Sequence, residues 1–394
     1  MKRVDVIIIG AGAAGLMCGI EVGKRQQKVL ILDKADKIGK KILISGGGRC
    51  NFTNLYTEAE NYLSKNPHFC KSALSRYTQW DFIGLMEKHH LSWSEKDLGQ
   101  LFCDQKSKAV VNLLINECQA ADVEFELETT IEQIKKTETG FEINTAQESY
   151  HCDSLVIATG GPSIPAMGAT DFALKVAEQF ALNTLPFEAA LVPFTFSDEM
   201  LENFIKDLAG ISAEVELCAE SGDCFREAIL FTHRGISGPA ALQVSSYWKA
   251  GESIRINLFP DGGLHEWLIE QQQAHSNAEL KTVLSYRLAK RLAAKLCEQY
   301  LSNQAMKTYS PQALEAICEQ LYNWQLTPSG TEGMRTAEVS LGGVNTDELS
   351  SKTFEAKKVE GLYFIGEALD VTGHLGGFNF QWAWSSGWCA GQYV

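Results

Sequence analysis

Residues 4–15 read VDVIIIGAGAAG, and the fold turns on how this stretch is read. Val4 to Ile9 is a continuous β-branched run, the pattern of a parallel strand buried on both faces. It passes without a break into Gly10-Ala11-Gly12-Ala13-Ala14-Gly15 and then into LMCGIEVGKR, a helix-forming segment. Strand, G-x-G-x-x-G and helix in that order predict a dinucleotide site. Gly10 allows the turn, Gly12 lets a pyrophosphate approach the backbone, and Gly15 lets helix pack closely on strand. Uncapped N–H groups at Ala13 and Ala14 then face the phosphates.

A second apolar strand, KVLILDK, ends at Asp33 with Lys34 beside it. That acid falls about 20 residues beyond the glycines, where a carboxylate accepts from the adenosine ribose and disfavours a 2′-phosphate. Two distant segments repeat the strand-end pattern. DSLVIATGG (153–161) carries Gly160, and the strand expected over Gly361–Ile365 runs into Gly366-Glu367. A single FAD domain, interrupted and later completed, accounts for all three. No second strand-linked G-x-G-x-x-G occurs, so NAD(P)H is expected to bind only transiently, at the flavin face.

Composition is globular, with 45% hydrophobic and 21% charged residues over 394 positions. The length predicts two or three domains. The N-terminal run resembles a signal peptide but is interrupted by Asp5 and rich in glycine, and no stretch offers the roughly 20 apolar residues of a membrane span. Eleven cysteines, scattered with no C-x-x-C pair, argue against a disulfide framework or structural zinc and fit a reducing cytoplasm. A net charge of −14 argues against nucleic-acid binding over the whole surface.

The segment after the second strand, KIGKKILISGGGRCN, should run along the ribityl chain and the ring. Lys40 and Lys41 are placed to balance phosphate charge. Gly46, Gly47 and Gly48 let main chain lie flat against the isoalloxazine, with Arg49 and Cys50 delivered to the same place.

Three segments carry a family resemblance: KKILISGGGRCN (40–51), FTHRGISGPAALQVSS (231–246) and GEALDVTGHLGGFNFQWAWSSG (366–387). Together they resemble the BaiN/RdsA family of FAD-dependent oxidoreductases, in the family's order and across nearly the whole chain. The resemblance implies an α/β protein: a Rossmann-type, glutathione-reductase-like FAD domain with an inserted β-barrel-like and helical substrate region. It also implies reduction of a C=C bond conjugated to a carbonyl. One branch of the family acts on steroid-like enones, the other on a uridine of 23S ribosomal RNA, and the chain is more similar to the second. The expected partner is therefore 23S rRNA or a pre-ribosomal particle, with a small-molecule enone as the alternative. On this reading hydride reaches the β-carbon of the acceptor and an acid protonates the α-carbon. Cys50 is the candidate acid, with His374 behind it. An amine oxidase on the same fold and a non-catalytic RNA-binding flavoprotein remain open.

The expected domains are 1–187 (FAD, first part), 188–262 (mainly β), 263–330 (helical) and 331–394 (FAD, completed). In the helical part Leu284, Leu288, Leu292 and Leu296 repeat at every fourth residue of a helix expected over 279–300, a buried stripe. Arg287, Arg291 and Lys295 run beside it, either as a solvated face or as phosphate contacts. Ser237 is expected to cap a helix, and His233 and Arg234 are open to substrate or structural roles. Asn379 and Phe380, at the start of the last helix, are placed toward the flavin, and Trp382 and Trp384 toward the core.

Overall fold

The computed structural model describes residues 2–394, which divide into two compact units, 2–188 with 338–394, and 189–337. In the first unit a five-stranded parallel sheet is built from β1 (Val6–Ile9), followed by α1 (Ala13–Lys24), β2 (Val29–Leu32), α2 (Lys40–Gly48), β3 (Glu124–Glu126), β4 (Ser154–Ile157), β5 (Leu362–Phe364) and α3 (Phe378–Gly391). The strand order is β5-β4-β1-β2-β3. β1, β2 and β4 pair residue for residue, from Val6 opposite Val29 and Ser154 to Ile9 opposite Leu32 and Ile157. Their apolar runs are buried on both faces, which is why they read as continuous rather than alternating.

The final helix, α3, closes the unit by packing on α1. A Cβ on Gly387 would stand 2.4 Å from the Ala14 carbonyl oxygen, so only glycine permits this helix spacing. Trp382 and Trp384 are buried, and Trp384 stacks on Phe82 at 4.3 Å between ring centroids. A four-stranded sheet over residues 2–3 and 131–152 and a three-stranded antiparallel sheet (Asn51–Asn54, Gln100–Cys103, Trp93–Glu95) flank the core.

The second unit is a seven-stranded antiparallel sheet with six α-helices of its own. Its edge strands, Trp324–Leu326 and Gly330–Thr331, follow one another directly in sequence. Four residue steps reach about 14 Å, whereas seven flat strands would span about 29 Å. The sheet must therefore curl until its edges approach. Because Trp324–Leu326 pairs with Ile254–Asn257, the mainly-β and helical segments share one hydrophobic core instead of forming two subdomains.

Three local expectations are corrected in this unit. The single helix expected over 279–300 is two, Leu280–Leu284 and Lys290–Gln299, because residues 285–289 turn between them. Leu284, Leu292 and Leu296 are buried and Leu288 packs against the same core, so the apolar stripe survives the break. The helix Pro239–Ser245 is capped by Gly238, not Ser237. Ser237 ends a strand, and Gly238 holds φ 91° in a place where a Cβ would strike Ala228 O at 2.7 Å. Finally, Cys218 and Cys224 form a disulfide, since the hairpin register sets them directly opposite. The other nine cysteines are free and buried.

Candidate functional site

The glycines of the first turn are required by the protein's own packing. Gly10 holds φ 116°, and a Cβ there would lie 2.4 Å from Ala158 O at the end of β4. A Cβ on Gly15 would lie 2.0 Å from Gly10 O. Gly12 differs, because nothing stands within 4 Å of the Cβ it lacks. It is the N-cap of α1 and brings no side-chain hydrogen bond, so the first N–H groups of the helix, including those of Ala13 and Ala14, face open space with the positive end of the helix dipole behind them.

Asp33 stands just beyond the end of β2. Its two oxygens accept from the N–H groups of Ala11 (2.6 Å) and Ala35 (2.7 Å), which fixes the carboxylate at the mouth of the turn while each oxygen keeps a further lone pair. Lys34 is exposed and has no ion-pair partner among the described residues. Lys40 pairs locally with Asp36 at 2.7 Å, four residues back in the loop before α2.

Lys41 does something the sequence did not show. Its Nζ donates to Ser163 Oγ (2.7 Å) and to Glu367 Oε2 (2.9 Å), and Glu367 Oε1 accepts from Ser340 N–H (3.1 Å). A Cβ on Gly160 would meet the same Glu367 carboxylate at 3.4 Å. Thus the ends of β4 and β5 converge with α2 on one carboxylate. The turn that carries it is held from behind by α3: Trp382 Nε1 donates to Gly366 O (3.0 Å) and Gly366 N–H to Ser386 Oγ (3.1 Å). Ser163 and Ser340 escaped sequence reading because a serine outside any motif carries no signal of its own.

The glycine triplet ends α2 in a left-handed turn. Ser45 leaves the helix at ψ 147°, and Gly46, Gly47 and Gly48 follow at φ 54°, 64° and 83°. A Cβ on Gly46 would strike the Phe102 ring at 2.8 Å, whereas Gly47 and Gly48 face open space. Arg49 is exposed, its guanidinium 5.2 Å from the centroid of the same Phe102 ring.

Cys50, the candidate acid, lies on the other side of this backbone. It is part of the hydrophobic core with no exposed surface, and burial pushes its thiol up to about 12. That is a correction of position: the chain turns at Cys50 (φ 57°) and carries the thiol inward. His374 is half-buried on the loop preceding α3, its N–H donating to Asn61 O at 2.9 Å. Asn379 organises that loop. Its Oδ1 accepts from Gly373 N–H and its Nδ2 donates to the carbonyls of Gly373 and His374. Phe380 stacks on Trp384 with ring centroids 5.6 Å apart.

Asn54 is a further residue that sequence reading missed. Buried, it donates to Leu98 O (3.0 Å) and Gly376 O (2.9 Å) and accepts from Tyr56 N–H (2.9 Å), tying three loops to one side chain.

In the second unit Arg234 pairs with Glu332 at 3.3 Å, and His233 is exposed. Arg287, Arg291 and Lys295 are engaged within the unit. The Arg287 guanidinium lies 4.6 Å from the Trp267 ring centroid. Arg291 donates to the carbonyls of Asp207 and Ala209, and Lys295 pairs with Asp207 (2.8 Å) and Glu298 (3.1 Å). These contacts fit the solvated-face alternative for the stripe.

The first unit's residues fit a dinucleotide. The turn is open only at Gly12, the helix behind it is uncapped, an acid stands at the second strand end, and Thr159 Oγ1 beside the turn is buried with no partner among the described residues. The HI0933-like protein Rossmann domain matches residues 4–393, nearly the whole chain.

The chain belongs to the HI0933-like family.

Within this family it is 53% identical over 393 residues to the ribosomal RNA dihydrouridine synthase of Escherichia coli (strain K12), covering 100% of this chain and 98% of that one. It is 45% identical over 390 residues to the protein of the same name from Haemophilus influenzae (strain ATCC 51907 / DSM 11121 / KW20 / Rd), covering 98% and 97%. Among solved structures, the 3-ketosteroid-delta4-(5alpha)-dehydrogenase of Rhodococcus jostii RHA1 shares the fold, with a TM-score of 0.50 at 12% identity over 99% of this chain and 97% of that one. No helix among the described residues is long and apolar enough to cross a membrane.

Proposed function

We propose that this HI0933-like chain is an FAD-dependent oxidoreductase that reduces the C5=C6 bond of a uridine in 23S ribosomal RNA to give dihydrouridine, drawing electrons from NAD(P)H. The observation that carries the reading is the 53% identity over the full length to a ribosomal RNA dihydrouridine synthase. The dinucleotide turn, Asp33 and Glu367 supply the place the chemistry needs. Bound FAD would supply hydride to the β-carbon of the conjugated acceptor, C6 of uracil.

The chain's own residues divide the remaining work. The N–H groups behind Gly12 would hold the pyrophosphate and Asp33 the adenosine ribose. Lys41 holds Glu367 in place, and the Trp382 and Ser386 bonds keep its turn from moving. The open backbone at Gly47 and Gly48 admits a flat ring. His374, which meets solvent on a loop organised by Asn379, holds the proton for C5, and Cys50 packs the core beneath. The second unit, with its curled sheet and helices, is the substrate region.

The test is direct. Unmodified 23S rRNA transcript is incubated with flavin-loaded protein and NADPH or NADH, digested, and searched by mass spectrometry for a uridine that has gained two hydrogens. Such a nucleotide is the expected result. Reduction of a small enone with the transcript left unchanged would overturn the RNA assignment and leave the small-molecule alternative.

A further inference from the structure

The first unit exposes three large side chains on neighbouring segments: Tyr56 (64%), Trp80 (62%) and Leu98 (59%). Their neighbourhood is set by backbone and amide contacts. A Cβ on Gly99 would touch the Tyr56 ring at 2.6 Å, which puts the Leu98 turn against Tyr56. Gln79 Nε2 donates to Leu55 O at 2.8 Å, which brings the start of the helix Gln79–Lys88, and with it Trp80, to the same loop. Leu98 sits in the left-handed region (φ 58°), held there by the Asn54 amide on its carbonyl. A bulky apolar residue kept strained and in water is unexplained by packing.

Positive charge borders these side chains. Arg49 and Lys96 both face the Phe102 ring, at 5.2 and 4.6 Å from its centroid, and neither has a carboxylate partner among the described residues. Strand alternation explains why Lys96 stays unpaired although Glu95 and Asp97 flank it. Ser94 lies opposite Phe102 on one face of the sheet, while Glu95 lies opposite the buried Leu101 on the other. Asp104 joins the outward face at the far end of the strand, where Ser94 Oγ donates to it at 2.6 Å.

This face adjoins the candidate site. Phe102 contacts the position a Cβ would take on Gly46, and Asn54 ties the Leu98 turn to Gly376. A uracil brought to the open backbone at Gly47 must be unstacked, and its neighbours in the strand must lie on whatever surrounds that opening. Unpaired bases are held by stacking on aromatic faces, and their phosphates by cations.

From this geometry we propose that Tyr56, Trp80 and Leu98, with Arg49 and Lys96, form the surface on which single-stranded RNA flanking the target nucleotide docks. The proposal rests on the RNA reading above. Tyr56 and Trp80 are the stacking platforms, and Arg49 and Lys96 the phosphate contacts.

The experiment compares the full-length, flavin-loaded chain with two double variants, Tyr56→Ala/Trp80→Ala and Arg49→Gln/Lys96→Gln. The probe is fluorescently labelled, unmodified 23S rRNA transcript, titrated between about 50 and 200 mM salt. Flavin content and melting temperature are measured on each preparation, so that affinities are compared among loaded, folded proteins. Loss of the two rings is expected to weaken binding on the order of 10-fold or more. Loss of the two cations is expected to flatten the log–log salt slope by about 1.4, the single-strand value for two phosphates. Wild-type affinity and slope in both variants would overturn this surface while the RNA reading stands. If the wild-type chain itself fails to retain or modify the transcript, the RNA reading falls and the surface falls with it.

Discussion

Two groups of cations, one in each unit, are treated in opposite ways. In the second unit Arg287, Arg291 and Lys295 look in sequence like a basic stripe, yet each is engaged by a ring, a carbonyl or a carboxylate of the same unit. In the first unit Gly12, Gly47 and Gly48 face open space, and Arg49 and Lys96 have no carboxylate partner among the described residues. The lesson is that a charge or a glycine becomes a binding feature only where the fold leaves it uncommitted. That state is invisible until the partners are known.

The most severe test falls on the first unit's turn. Gly15→Ala places a methyl 2.0 Å from Gly10 O, backbone against backbone, so α1 must move off β1. Expected are loss of bound flavin and a drop of about 3 kcal/mol in stability, read as absorbance of the purified protein and its denaturation midpoint. A variant that stays yellow and stable would mean that the turn is not the cofactor's seat.

Next comes the proton donor, where partial exposure to solvent favours His374 over the sealed thiol of Cys50. His374→Asn should keep flavin and its reduction by NAD(P)H but slow product formation by about 10²- to 10⁴-fold. Cys50→Ala should form product at a near-normal rate. Stopped-flow measurement of the two half-reactions separates them, and the reverse pattern would show that the core opens to deliver Cys50.

A smaller effect is expected in the second unit. The triple variant Arg287→Gln/Arg291→Gln/Lys295→Gln should lose about 1–2 kcal/mol of stability, because charge-assisted hydrogen bonds disappear from partly exposed positions. RNA affinity and its salt slope should not change. A flatter slope at unchanged stability would break the contrast between the units.

The smallest effect concerns a polar group that the first unit does commit. Burial opposes ionisation of Glu117, yet Lys88 at 2.6 Å and His89 at 2.7 Å hold its carboxyl below the usual carboxylate range. Because the folded value is depressed, this contribution is complete above the unfolded value of about 4.5 and is lost as pH falls through the folded one. Glu117→Gln should therefore cost about 1 kcal/mol at neutral pH and flatten the acid limb of a melting-temperature profile below about pH 4.5. Flavin content should be indifferent to the change.

Much of the first unit was legible in the sequence because its requirements are local. Gly10, Gly12 and Gly15 answer to backbone geometry within one strand–turn–helix, and Asp33 sits at a fixed chain distance from them. Gly160 and Gly366-Glu367 were legible as strand ends for the same reason. The 279–300 segment was half legible. Its leucine stripe follows from spacing and is buried as expected, but the break at 285–289 and the fate of its cations depend on Trp267, Asp207 and Ala209, far away in sequence.

By itself, then, the sequence determined that the chain begins with a Rossmann turn for a dinucleotide, that distant segments return to complete it, and that the segment 188–330 is of another character. Only the tertiary structure decided that Lys41, Ser163 and Ser340 converge on Glu367, that Cys50 turns inward while Gly47 stays open, that Cys218 meets Cys224, and that Arg49 and Lys96 lie over Phe102 with no carboxylate partner among the described residues. The physical reason is range. Backbone conformation and hydrophobic period are set within a few residues of chain, whereas burial, hydrogen-bond partnership and the freedom of a charge are set by what long-range packing brings alongside.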